Sequence, residues 1–207
     1  MRLQKYINES GVFKIDENGI LWEFIANIAN VISAKTYKSL IIPNEVKGFS
    51  DEFGREFTVV DKFQLPCTLW DIGVYMHDWA NAGREIGCVF ANCNLPRLLL
   101  PEEIVSESAG AFAFGNSYIQ ELCVPESYDI NKWSARSLKG CTIGKLYVPE
   151  SFKNTDDNKI DEPLRYGALY LNGVQITDGI YVYSKREVGE FPEDEHTTLI
   201  AAKYHSC

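Results

Sequence analysis

The chain is poor in the residues from which most catalytic and metal sites are built. Its 207 residues include three histidines, His77, His196 and His205. They form no His-x-x-x-His pair, and no glycine-rich phosphate loop or nucleophile elbow accompanies them. Positive charge is scarce as well: 20 Lys and Arg stand against 29 Asp and Glu, a net charge of −9. That balance argues against nucleic acid as a partner, because non-specific affinity for phosphate comes from many Lys and Arg contacts. No stretch approaches the roughly 20 apolar residues of a membrane span. Residues 1–11 lack the apolar core, of roughly 7–15 residues, of a secretory signal. As it stands the chain reads as cytoplasmic, or as surface-exposed or secreted if it is excised from a longer exported protein. Its six cysteines, Cys67, Cys88, Cys93, Cys123, Cys141 and Cys207, contain no Cys-x-x-Cys pair and are expected to be buried free thiols.

What the chain does have is a repeat. Five prolines follow short apolar runs, Pro43, Pro66, Pro101, Pro125 and Pro149, at spacings of 23, 35, 24 and 24 residues, one period with a single insertion. Three residues before each stand Leu40, Phe63, Leu98, Leu122 and Leu146; one before stand Ile42, Leu65, Leu100, Val124 and Val148. Six before are Tyr37, Val60, Leu95, Ile119 and Ile143, and three after are Val46, Leu69, Ile104, Tyr128 and Phe152. All of these positions are apolar in a chain that is 45% apolar overall.

Such a pattern predicts one short strand per repeat, stacked in parallel about 4.8 Å from the next, with equivalent side chains forming buried ladders. Proline lacks an N–H and so ends each strand. Eleven residues before the proline the later repeats show Phe90, Phe114 and Leu138, and eight before they show Cys93, Ser117 and Cys141. The stretches from Phe90 to Pro101 and from Ser137 to Pro149, with Ile86-Gly87 ahead of the first, resemble the BspA-like (Treponema-type) class of leucine-rich repeats. The resemblance covers about 32–152. It is weaker in the first two repeats, where Lys35 and Arg55 occupy positions that the class keeps apolar or Cys. It implies a leucine-rich repeat solenoid: one short parallel β-sheet of about five stacked coils, with β-hairpin caps at both ends. It also implies an interaction or adhesion role of the bacterial kind, with no fixed binding residues and no cofactor.

The expected organisation is an N-terminal cap over 1–31, repeats over 32–152 with an insertion near 72–84, a C-terminal loop and hairpin cap over 153–184, and an acidic tail over 185–207. The first cap is a hairpin of Gly11 to Ile15 and Ile20 to Phe24 around Asp16 to Gly19. The second is a hairpin of Ala168 to Leu171 and Val174 to Ile176 around Asn172-Gly173.

Two places are candidates for recognition. Strand alternation sends Ile41, Gln64, Leu99, Cys123 and Tyr147 outward in one column and Ser39, Lys62, Arg97, Glu121 and Lys145 in the next. This gives an apolar column beside alternating charge, the composition of a contact patch, with Ile41, Leu99, Tyr147, Arg97 and Lys145 as partner-binding residues. Cys123 on that face is expected to be the more accessible thiol. The insertion Tyr75-Met76-His77-Asp78-Trp79 adds Tyr75 and Trp79, because loops carried on a rigid scaffold often bind. The expected function is therefore non-enzymatic recognition of a protein partner. The alternatives are a hydrolase or thiol enzyme sited at the insertion, and a structural accessory domain of a larger protein. The acidic run from Asp156 to Glu162 lacks the spacing of a calcium loop, so no metal site is expected.

Overall fold

A computed structural model describes residues 2–50, 53, 56–66, 69, 74–75, 89–102, 113–127, 138–152 and 173–205. The described residues form fourteen strands: β1 (Gln4–Ile7), β2 (Gly11–Ile15), β3 (Ile20–Ala26), β4 (Val31–Ser33), β5 (Thr36–Ile41), β6 (Gly48–Ser50), β7 (Thr58–Gln64), β8 (Val74–Tyr75), β9 (Asn94–Leu99), β10 (Tyr118–Cys123), β11 (Thr142–Pro149), β12 (Gln175–Tyr183), β13 (Thr197–Ala201) and β14 (Tyr204–His205). They build two mixed sheets. One has five strands in the order β1-β2-β3-β6-β8, and the other has nine, ordered β13-β12-β11-β10-β9-β7-β5-β4 with β14 also on β12. The expectation of a solenoid with one short parallel sheet is thus corrected: the architecture is a pair of sheets, each containing both parallel and antiparallel neighbours.

The repeat accounts for the centre of the larger sheet. Strands β5, β7, β9, β10, β11 and β12 run parallel, and across β9, β10 and β11 residues one 24-residue period apart face each other, as Asn94, Tyr118 and Thr142 do. Leu98, Leu122 and Leu146 are register partners, as are Leu95, Ile119 and Ile143, and all six are buried. The turn ahead of each later strand needs one residue with φ > 0. Asn92, Asn116 and Gly140 fill that place nine residues before the proline, types that tolerate the left-handed region. Lys35 and Glu56 adopt it in the first two coils, where their side chains form an exposed ion pair at 3.6 Å.

Three departures break the single-sheet scheme. First, the N-terminal hairpin forms, with Asp16 Oδ1 accepting from the Asn18 and Ile20 amides at 2.9 Å and Oδ2 from Trp22 Nε1 at 3.1 Å. It stands at one end of the smaller sheet. Its strand β3 pairs in parallel with β6, and β6 with β8, so the chain crosses between the sheets in the first two coils and founds the second sheet. Second, Val174 to Ile176 lead into β12, a sixth parallel strand beside β11; residues 168–172, the other arm of the expected hairpin, lie outside the described residues. Third, the tail beyond 185 contributes β13 and β14, both antiparallel to β12.

The register also slips within the parallel ladder, at β12 against β11 and at β7 against β5. β7 carries an extra residue against β5, with Tyr37 opposite Val59 and Ser39 opposite Lys62. This bulge puts Val59 in the core and leaves Val60 48% exposed, reversing the inward position expected for Val60.

The outer edge of β5 closes by side chains. Asn30 accepts from the Ser39 amide and donates to the Ser39 carbonyl, both at 2.7 Å, and Ser10 Oγ accepts from the Ile41 amide at 2.9 Å. These bonds stand in for a neighbouring strand where the ladder ends. In the interior, Phe90 is fully buried and lies within 5.2–6.3 Å of the rings of Phe49, Phe53, Phe57, Phe63 and Phe114, joining the two sheets into one core.

The position eight before the proline serves hydrogen bonding. Ser117 Oγ donates to the Phe90 carbonyl at 2.6 Å, and Cys141 Sγ to the Phe114 carbonyl at 2.9 Å, the same bond one repeat later. Cys141→Ser is therefore expected to leave the thermal midpoint within a few degrees of wild type. Cys141→Ala removes one of two donors to the Phe114 carbonyl, which keeps the Ser117 amide at 3.1 Å, and is expected to lower stability by about 1 kcal/mol, measured by urea denaturation. Leu122→Asp places a carboxylate inside the ladder and is expected to abolish the cooperative melt; an unchanged midpoint contradicts the register.

Candidate functional site

The outward face of the parallel strands carries two rows set by the same register. Arg97, Glu121, Lys145 and Gly179 stand side by side in one, and Leu99, Cys123, Tyr147 and Tyr181 in the other. The charged row is internally paired. Glu121 accepts from Arg97 Nε at 2.6 Å and lies 3.7 Å from Lys145 Nζ.

The second row is covered, which corrects the expectation of an exposed apolar column. Cys123, Tyr147 and Tyr183 form a buried cluster of their own, against which Leu99, Tyr181 and Phe191 pack. Tyr147 keeps only 4% of its surface and stacks on Tyr181 at 5.3 Å between centroids. The cover comes from the tail. Residues 185–195 form a loop closed at its base by the Ser184 amide donating to the His196 carbonyl at 3.0 Å. This loop is a strap across the face. Phe191 meets Tyr147 edge-on at 5.8 Å, and the Arg97 guanidinium lies 4.1 Å above the Phe191 ring.

A buried ion pair ties the strap down. Arg186 has a side chain only 5% exposed and donates to Glu102, to the Glu187 and Glu190 carbonyls at 3.1 and 3.0 Å, and to Tyr183 Oη at 3.3 Å. Burial pulls the Arg186 pKa down, but the hydrogen bonds that it donates to Glu102 and Tyr183 outweigh it and the net shift is upward. Glu102 also accepts from Ser127, and Tyr183 Oη donates to the Val124 carbonyl at 2.8 Å. Loops after β9 and β10 are so joined to the tail. The acidic residues of the strap, Glu187, Glu190, Glu193 and Asp194, face solvent as expected for a solvated segment, while Pro192 is buried.

Neither a protein-family model, nor a curated protein, nor a solved structure matches this chain. The site is therefore read from its own chemistry.

The strap divides the outward face into two grooves. One, of about 600 Å³, runs between β7 and the strap, lined by Lys62, Gln64, Leu99, Pro101, Val188 and Phe191 among others. The second, of about 660 Å³, lies on the far side of Phe191 and is polar, with Gln120, Glu121, Lys145, Pro192 and Asp194. Arg97 borders both. Of the residues singled out in the sequence, Arg97, Leu99, Lys145 and Tyr147 come together here, whereas Ile41 is half-buried at the β5 end. Tyr75 belongs to β8 in the other sheet, its side chain not described, and Trp79 lies outside the described residues, as do His77, Met76, Asp78 and the acidic run 156–162. Arg186, Val188 and Phe191 escaped sequence reasoning, their one signal being an Arg and a Phe-Pro pair inside an otherwise acidic tail.

The thiols are protected. Burial pushes Cys93 up to about 11 and Cys123 and Cys141 up to about 12, so Cys123 is a buried thiol and not the accessible one expected. Each points its sulfur at a backbone carbonyl. Glu193, Glu195 and His196 bring their ligand atoms within 4.8 Å of one another at the exposed foot of the strap. No helix among the described residues is long and apolar enough to cross a membrane. In a background with Cys67, Cys88 and Cys207 changed to Ser, the three remaining thiols are expected to stay unreactive to Ellman's reagent at pH 8, where a thiol of pKa 12 is ionised to about one part in 10⁴. All three react on adding denaturant, and prompt reaction of the native protein would contradict the burial of these thiols.

Proposed function

We propose that the chain is a non-enzymatic recognition module that holds an extended segment of a protein partner along its outward sheet face. The observation that carries the reading is the groove between β7 and the strap. Its apolar surface of Leu99, Phe191 and an 81% exposed Val188 sits beside Lys62 and Asp61, which are exposed and engage no other described side chain. Apolar centre and polar rim are the composition of contact surfaces. The resemblance of the later repeats to BspA-like interaction modules supports the same reading. Catalysis is a weaker fit, since the described cysteines are held neutral by burial and a nucleophile needs its base within hydrogen-bond reach.

A second reading, the structural accessory domain, is favoured by the opposite end of the molecule. There Ile7, Ile25, Ile28, Val31 and Ile32 are all exposed, Ile28 by 90%, beside β4, the last strand of the larger sheet among the described residues.

The experiment is a peptide-display selection on the wild-type protein, followed by affinity measurements against Lys62→Glu/Val188→Asp. Both positions are exposed, so the double variant is expected to keep its melting midpoint while selected peptides bind it at least tenfold more weakly. Peptides that bind both proteins equally would overturn the reading.

A further inference from the structure

The strap is itself a peptide lying on the proposed recognition face, and its contacts describe what that face accepts. The Phe191 ring is held from both sides, by the Arg97 guanidinium over its face and by Tyr147 against its edge. Cation–ring and edge-to-face pairs of this kind select an aromatic side chain over an aliphatic one of equal area. Pro192 follows, buried, and fixes the direction in which the chain leaves the ring. Asp194 borders the groove shared with Lys145 and Arg97, so acid follows the proline where the face offers cations. Phe191 and Pro192 therefore fill seats of matching chemistry, and Asp194 stands at the solvent-facing rim of the groove that carries Lys145.

The segment is also built so that it can leave without unfolding the sheet. It lies between two fixed points, the Arg186–Glu102 pair on one side and the Ser184–His196 bond with β13 on the other. Gly189, between the anchor and Phe191, has φ +82° and nothing within 4 Å of where a side chain would be. The two loop ends are already joined at the base, as in compact surface loops, so release of Phe191 has only the Glu187–Glu190 turn bond and the Arg186 bond to the Glu190 carbonyl to open on this side. Beyond Phe191 the 600 Å³ groove stands open beside the same ring, giving an incoming segment a place to land before the seat is vacated.

We infer that the strap is an internal stand-in for the partner: the face recognises a protein segment carrying an aromatic residue followed by proline and acidic residues, which takes the place of Phe191. Tethering gives the strap an effective concentration in the millimolar range, so a partner of the same chemistry competes only when it adds contacts in the open groove, through Lys62 and Leu99. The inference rests on the recognition reading above and adds the chemistry of what is recognised.

The test uses a synthetic peptide with the sequence of residues 188–195 and the full chain carrying Phe191→Ala, with binding followed by fluorescence anisotropy. The vacated face is expected to bind the peptide at least tenfold more tightly than wild type. Replacing the peptide's phenylalanine by alanine, or adding Arg97→Ala to the protein, is expected to abolish that binding. Equal affinity for wild type and Phe191→Ala, or no binding to either, overturns the inference. If Phe191→Ala does not fold, Phe191→Leu serves the same comparison, since it keeps an apolar side chain on the face and removes the ring. Should the display selection return groove-dependent peptides without an aromatic–proline–acid pattern, the recognition reading stands and this inference falls.

Discussion

Phe90 is the contact on which the rest of the structure depends. Its ring lies against one aromatic from the five-stranded sheet, Phe49, and against Phe63 of β7, Phe57 just before it and Phe114 of the next repeat. The two sheets also meet where Phe24 of β3 packs on Tyr37 of β5, 5.6 Å between centroids, but it is at Phe90 that the aromatics of the first coils and those of the regular later ones converge in the shared core. A buried aromatic of this size contributes on the order of 3–5 kcal/mol against truncation. That is comparable to a large part of a domain's whole stability. The regular ladder of Leu98, Leu122 and Leu146 then sets where each outward side chain falls, which is how a core contact comes to determine the composition of a surface.

The face so determined has one half already in use. Arg186 is buried with its carboxylate partner Glu102, and a buried pair of this sort gives little net stability compared with an apolar substitute while penalising heavily the loss of either member. Its consequence here is positional. It fixes where the strap begins, and so puts Phe191 over Tyr147 and opposite Arg97, leaving one groove open on the β7 side. The net charge of −9 describes the molecule as a whole but not this face, which sets Lys62, Arg97 and Lys145 against the single row carboxylate Glu121.

Much of the ladder was legible because its signal is strong: a period of 24 with apolar residues at fixed distances from proline. The register partners Ile119 and Ile143, or Leu122 and Leu146, could be written down from the sequence. Three things were not legible. Strands β6 and β8 have three and two residues, too short for alternation to register, so the second sheet left no periodic trace. Strand β12 ends without the marker proline, Tyr183 standing opposite Pro149, which hid a sixth parallel strand. The bulge in β7 adds one residue, which moved Val60 from an apparent core position to the surface. The asparagines at 92 and 116 and the glycine at 140 were a readable turn signal at the same period. The site was half legible. Alternation placed Arg97, Leu99, Lys145 and Tyr147 on one face, but nothing in an acidic tail announces that its one phenylalanine covers them.

The most direct test of the central claim is the mapping of a selected peptide binder on the protein by backbone amide chemical shifts. Recognition by the outward face predicts that the shifts concentrate at Lys62, Gln64, Arg97, Leu99 and Val188 to Phe191. Shifts confined to Ile7, Ile25, Ile28 and Val31 at the β4 end, with the strap unperturbed, would contradict it.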